Sequence, residues 1–240
     1  MATKNAFTSG FHEHDPRWNA VDEYAFGHSH PSTRPNTDSL RQTLESSQAA
    51  GLPDISASAA QAKFMALLIR AQGITHALEV GTLGGYTAIW LASENPSLHL
   101  TTVEFDPEHA KVARANIDKA GLSDRIELIE GAGIEVLPRL LEEVKAGKRQ
   151  KLGFTFIDAD KPNNWNYFDL AVQMSVPKAW VVVDNVVRQG KVADFENKDP
   201  RFQGARDAIE NAGKDPRVDS VVIQTVGEKN YDGALWAVVN

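Results

Sequence analysis

Residues 74–92 read Ile-Thr-His-Ala-Leu-Glu-Val-Gly-Thr-Leu-Gly-Gly-Tyr-Thr-Ala-Ile-Trp-Leu-Ala. The apolar run Ala77-Leu78-Glu79-Val80 predicts a buried strand. Gly81, Gly84 and Gly85 make a turn, and Tyr86 to Leu91 start a helix. Strand, glycine turn and helix start together form the unit that binds a nucleotide-like cofactor in a doubly wound α/β domain. Glycine has no Cβ, so the backbone can approach a ligand closely there. The next strand, His99 to Val103, ends at Glu104. An acid about 20 residues past the glycines suits the hydroxyls of a ribose.

The spacing Gly81-Thr82-Leu83-Gly84-Gly85 is not the G-x-G-x-x-G of a dinucleotide site. Glu79 adds negative charge where a pyrophosphate would lie. An acidic turn better suits a cationic cofactor with an amino-acid head, such as S-adenosylmethionine. A tight turn with no ligand is the bland alternative. An NAD(P)-dependent oxidoreductase on a related sheet is the rival enzyme class. A non-catalytic scaffold that only binds the cofactor is the third.

The 240 residues are 42% hydrophobic and 24% charged, which fits one globular domain with a sizeable core. The net charge of −7 disfavours nucleic acid or an anionic membrane as partner. There is no cysteine, hence no disulfide, thiol nucleophile or zinc-thiolate site. No apolar run reaches spanning length and no signal-peptide core opens the chain, so the expected location is cytoplasmic.

Residues 1–54 are expected to form an N-terminal helical arm, covering the active site or building a dimer interface, and 55–240 the α/β core. In the arm, His12 and His14 are more plausibly solvated than metal ligands. Asp15-Pro16 starts a helix with Trp18, Val21, Tyr24 and Ala25 at helical spacing. His28 and His30 fall in a polar loop, and a further helix runs from Thr37-Asp38 to Gly51 with Leu40 and Leu44 apolar. Ser58 and Gln61 make a capping box for a helix with Phe64, Leu67, Leu68 and Ala71 on one face. Strands and helices then alternate. Strands are expected at 126–129, 152–157 and 180–183, and helices near 134–146, 164–174 and 201–212. Two late strands, 218–226 and 234–239, have no helix between them and should pair antiparallel. The rest predicts a mostly parallel sheet with helices on both faces.

Ligands of such sheets sit at the carboxyl ends of the strands. Gly131-Ala132-Gly133 follows the third strand and leaves room for a flat adenine. Asp158-Ala159-Asp160-Lys161 follows the fourth, and Asp184-Asn185 the fifth. Asp158, Asp184 and Asn185 offer three hard oxygens, suited to Mg²⁺, Mn²⁺ or Ca²⁺ rather than zinc. Either aspartate alone would be a helix cap. The two together, with Asn185 adjacent and a lysine near, favour a metal. Lys161 beside such a cation, partly out of water, could serve as general base.

The motifs ALEVGTLGGYTAIWLA, TTVEFDPE, FIDADKPNN and VVVDNVVRQGKV together resemble the cation-dependent O-methyltransferases of the catechol and caffeoyl-CoA type, class I S-adenosylmethionine enzymes. The resemblance runs from about Ile55 to the C-terminus. It implies a seven-stranded sheet with the last strand antiparallel, and a homodimer. It implies that Glu79, Gly81, Thr82 and Thr87 hold the methionine portion of the cofactor and Glu104 the ribose. Gly133 would lie beside the adenine, Asp160 near the cofactor's amino group, and Ala57 would touch the cofactor through its backbone. Asp158, Asp184 and Asn185 would be the metal ligands, Lys161 the base, and Gln189 an acceptor contact. Two departures stand out: Asn164 and Trp165 where the family often has Tyr, and Ala132 where it usually has Asp. The implied acceptor is a vicinal dihydroxyphenyl compound: a flavonoid, a caffeoyl compound or a small catechol. Its two hydroxyls would chelate one cation while Lys161 removes a proton. The acidic balance favours free phenolics over coenzyme A esters.

Overall fold

The structure, a computed structural model, describes residues 15–240. His12 and His14 lie outside the described residues. Three helices come first: α1 (Pro16–Ser29), α2 (Thr37–Ala49) and α3 (Ala59–Gln72). The alternating part follows as β1 (His76–Val80), α4 (Tyr86–Glu94), β2 (His99–Glu104), α5 (Pro107–Lys119), β3 (Ile126–Glu130), α6 (Gly133–Lys145), β4 (Leu152–Ile157), α7 (Asn164–Met174), β5 (Ser175–Val183), α8 (Pro200–Ala212), β6 (Val218–Val226) and β7 (Tyr231–Val239). The seven strands form one sheet in the order β3-β2-β1-β4-β5-β7-β6, with β7 antiparallel to both neighbours. β5 and β7 begin five and three residues earlier than the apolar runs 180–183 and 234–239 suggest.

The order reverses direction at β1, where the chain first builds towards β3 and then returns to β4. That switch point opens a crevice at the strand ends. Each face of the sheet is covered. One core joins Val80 and Val183 to α6, α7 and α8, through Leu137, Phe168 and Ala205. The other joins Ala77 and Phe156 to α3, α4 and α5, through Met65, Trp90 and Ile117.

Two apolar stripes fall otherwise than their spacing suggests. On α1, Val21 and Tyr24 are 64% and 72% exposed, and no residue of the helix is buried. On α3 the buried face is Ala62, Met65, Ala66 and Ile69, whereas Phe64 and Leu67 face outward. The buried face mixes small Ala62 and Ala66 with bulky Met65 and Ile69 and packs on the core below α4. His30 is buried rather than solvated. Its ring meets Trp90 at a tilt, 4.5 Å between centroids, and lies 3.3 Å from Lys63 Nζ, fastening the arm to α3 and α4.

Candidate active site

A cavity of about 1000 Å³ opens at the carboxyl ends of β1, β2 and β4. Most of the residues expected at a site line it. Gly81, Thr82, Thr87, Glu104, Gly133, Ala57, Asp158, Asp160, Lys161 and Asn185 all do.

The glycine turn is shaped by contact as well as by freedom. Gly81 has φ +99°, and a Cβ there would sit 2.1 Å from the Asp158 carbonyl oxygen. The β1 turn therefore touches the β4 end directly, and only glycine fits. Glu104 secures the turn from β2: its Oε2 accepts from the backbone amides of Thr82 at 3.0 Å and Leu83 at 2.7 Å. Gly133 faces Tyr167 and Val80, each about 3.0 Å from where a Cβ would lie.

Glu79 does not line the cavity. It is 1% exposed and accepts the Thr102 hydroxyl at 2.6 Å. Burial, with smaller contributions from Asp158 and Glu104, pushes its carboxyl up to about 8. An acid so buried stays protonated at neutral pH unless a positive charge comes near.

Asp158 and Lys161 face each other across one turn, with Nζ 2.6 Å from Asp158 Oδ1. The Lys161 ammonium also lies 3.5 Å from the Asp184 carbonyl oxygen. Asp184 is buried just behind the wall, and Gln61 Nε2 donates to its Oδ1 at 2.9 Å. Gln61 was expected to complete the capping box. Ser58 does accept from the Gln61 amide at 3.2 Å, but the Gln61 side chain is spent on Asp184. Burial, then the nearby charge of Asp158, pushes the Asp184 carboxyl up to about 7. Two neighbouring carboxyl groups with an amide beside them make a donor set that a hard divalent cation would suit. Among the described residues no three His, Cys, Asp or Glu side chains cluster to hold a metal, so any such site depends on Asn185. Asn185 has φ +55°, unusual for a residue with a side chain.

Gln189 is not on the cavity wall. The backbone runs left-handed through Arg188, Gln189 and Gly190, and Gln189 Oε1 accepts from Lys191 Nζ at 3.2 Å. Arg188 lines the cavity instead. Trp18, Trp165 and Trp180 do not line it either. Trp165 stacks on Phe168 and Trp180 meets Trp236 edge-on. Tyr167 does line it, and its hydroxyl donates to Asp160 Oδ1. Burial and the Asp160 carboxylate both raise the Tyr167 hydroxyl. Sequence spacing alone does not single out Tyr167 or Arg188, and it gives Gln61 only a capping role, since the place of each at the site depends on a contact between distant segments.

A seven-stranded sheet of this order, with a glycine turn at the switch point and a ribose-type acid on β2, defines a class I methyltransferase. The model of the O-methyltransferase family matches residues 29–230. The O-methyltransferase imqG of Aspergillus flavus is 54% identical over 239 residues, 99% of this chain and 97% of that protein. A catechol O-methyltransferase of Niastella koreensis is 43% identical over 203 residues, 84% of this chain and 90% of its own. The O-methyltransferase of Bacillus cereus in complex with SAH superposes with a TM-score of 0.85 at 40% identity, covering 94% of this chain and 99% of that one. The chain belongs to the O-methyltransferase family and is an S-adenosylmethionine-dependent O-methyltransferase. The nicotinamide oxidoreductase alternative has no support in these comparisons. No helix of the described residues is long and apolar enough to cross a membrane.

Proposed function

We propose that the enzyme methylates one hydroxyl of a vicinal dihydroxyphenyl acceptor, with a divalent cation held by Asp158, Asp184 and Asn185. The observation that carries this reading is the juxtaposition of Lys161 with Asp158 and the Asp184 carbonyl on the cavity wall. The likeness to the Niastella koreensis protein named catechol O-methyltransferase supports it.

S-adenosylmethionine supplies an electrophilic methyl group. A hard divalent cation at the three oxygens would make a bound hydroxyl more acidic and fix its direction. The chain's own residues do the rest. Glu104 and the Gly81 turn would hold the ribose and the methionine head. The cofactor's ammonium, brought towards Glu79, would favour its ionised form. Lys161 takes the proton from the acceptor hydroxyl. To do so it must be the neutral amine, so the ammonium that Asp158 now holds must first lose its proton to solvent. A divalent cation held by Asp158, Asp184 and Asn185 would favour that loss, because a positive charge nearby disfavours the ammonium form. The glycine turn, packed on the Asp158 backbone, keeps cofactor and acceptor sites in fixed relation, as in-line transfer requires.

The same reading makes the enzyme a cytoplasmic homodimer. Supporting it, Phe64 and Leu67 on α3 and Val221 and Ile223 on the β6 edge are exposed apolar side chains, Phe64 and Val221 both beside Trp236. Sedimentation of wild type against Ile223→Glu tests it: a dimer that becomes monomeric is expected.

For the activity itself, labelled methyl transfer is measured to a catechol and to its monophenol analogue, each with Mg²⁺ and with chelator. Transfer to the catechol alone, and only with metal, is expected. Equal transfer in chelator would reduce Asp158, Asp184 and Asn185 to structural caps.

A further inference from the structure

The proposed mechanism leaves Arg188 unused. It follows Asn185 by three residues and lines the same cavity as Lys161 and Asn185. Its backbone has φ +54°. Asp232 on β7 imposes that conformation: its Oδ1 accepts from the amides of Val187 at 3.1 Å, Arg188 at 2.8 Å and Gly233 at 2.9 Å. Bulky residues held at positive φ cluster where a ligand must be met.

The side chain is equally unusual. Its guanidinium carbon lies 5.9 Å from the centroid of the Phe202 ring. Its Nε is buried and has no hydrogen-bond partner. Other cations of the cavity wall are committed: Lys161 to Asp158, Lys229 to Asp54 at 2.6 Å, and Arg41 to Glu45 at 2.9 Å. No ion pair of Arg188 occurs within 4.0 Å among the described residues. A buried guanidinium Nε with no hydrogen-bond partner is costly unless something completes it. Its planar fork matches a carboxylate through two parallel hydrogen bonds.

We propose that Arg188 binds a carboxylate of the acceptor, so that the substrate class is a catechol carrying an acidic group. This rests on the catechol reading above. Neutral and amine-bearing catechols would leave the guanidinium unpaired and be poorer substrates. Arg188 then sets specificity through acceptor binding, while Lys161 handles the proton.

The test compares kcat/KM for 3,4-dihydroxybenzoate, 3,4-dihydroxyphenylacetate and caffeate, each against its own methyl ester, with Mg²⁺ present. A charge-assisted pair favours the best acid over its ester by about 10- to 100-fold, carried mainly by KM. Arg188→Met should bring that ratio to within about threefold of one, and Arg188→Lys should keep part of it. SAH-induced thermal stabilisation verifies that the variants fold. A wild-type ratio near one for all three pairs overturns the proposal, whatever the variants do. So does an Arg188→Met enzyme that keeps the wild-type ratio. Turnover of esters without preference sinks this inference and leaves the catechol reading intact. No turnover of any acid, ester or plain catechol sinks both.

Discussion

Gln61 Nε2 donates to Asp184 Oδ1 at 2.9 Å, so the first turn of α3 reaches the end of β5. A side chain that local spacing assigns to a helix cap instead steadies a carboxyl of the site. Asp184 is buried, and removing the Gln61 amide takes from that oxygen the one side-chain donor it has among the described residues. Gln61→Leu is expected to cost about 1–3 kcal/mol in urea denaturation and to weaken Mg²⁺ dependence of activity. A variant with wild-type stability and wild-type metal dependence would show that Gln61 contributes nothing to the site.

Gly204 on α8 stands against the Lys161 turn. A Cβ there would lie 2.0 Å from the Lys161 carbonyl oxygen, so Gly204→Ala must push the turn away. The displacement moves the base and leaves the glycine turn of β1 alone. The expected result is a fall in kcat of roughly 10- to 100-fold with SAH affinity nearly kept. Calorimetric SAH titration beside steady-state rates separates the two effects.

Gly81→Ala strikes the other wall. It combines an unfavourable φ with a 2.1 Å approach to the Asp158 backbone. Loss of measurable SAH binding is expected, with destabilisation of about 2–4 kcal/mol. Normal SAH affinity in this variant would mean the turn is not where the cofactor sits.

Glu79 gives the enzyme a pH signature. Its folded value of about 8 stands above the 4.5 of an ordinary glutamate, chiefly through burial. Between these values the folded chain binds the proton that the unfolded chain has released. Stability of the ligand-free protein should therefore decline as pH rises from about 4.5 to about 8, and level off above. Glu79→Gln should remove this component, roughly 2–5 kcal/mol between the two ends. The difference in urea midpoint between wild type and variant, followed across that range, reads it directly. A difference that does not change with pH would contradict the burial argument.

Much of this molecule is legible in its sequence. The glycine turn, Glu104, and the acids ending β4 and β5 are short-range signals, each fixed by strand period and turn chemistry. They converge on the cavity, with Asp184 just behind its wall, because parallel strands align their carboxyl ends. What is not legible depends on packing between distant segments. The α3 stripe of Phe64 and Leu67 has the spacing of a core face, yet packing against α4 and the sheet buries the face of Ala62, Met65, Ala66 and Ile69 instead. Gln189 and Arg188 are adjacent in sequence. Which of them reaches the cavity is settled by a left-handed loop held from β7 by Asp232. Tyr167 likewise reaches Asp160 only because α7 folds back over the β4 end.

The central claim is that Lys161, now paired with Asp158 at 2.6 Å, is the base for methyl transfer to a catechol. The most direct test is single-turnover transfer of labelled methyl to a catechol by Lys161→Met, alongside its SAH dissociation constant. A positioned base is worth roughly 10²–10⁴-fold, so the transfer rate should fall by that factor while SAH affinity stays within about threefold of wild type. A Lys161→Met enzyme that transfers methyl at the wild-type rate would contradict the account.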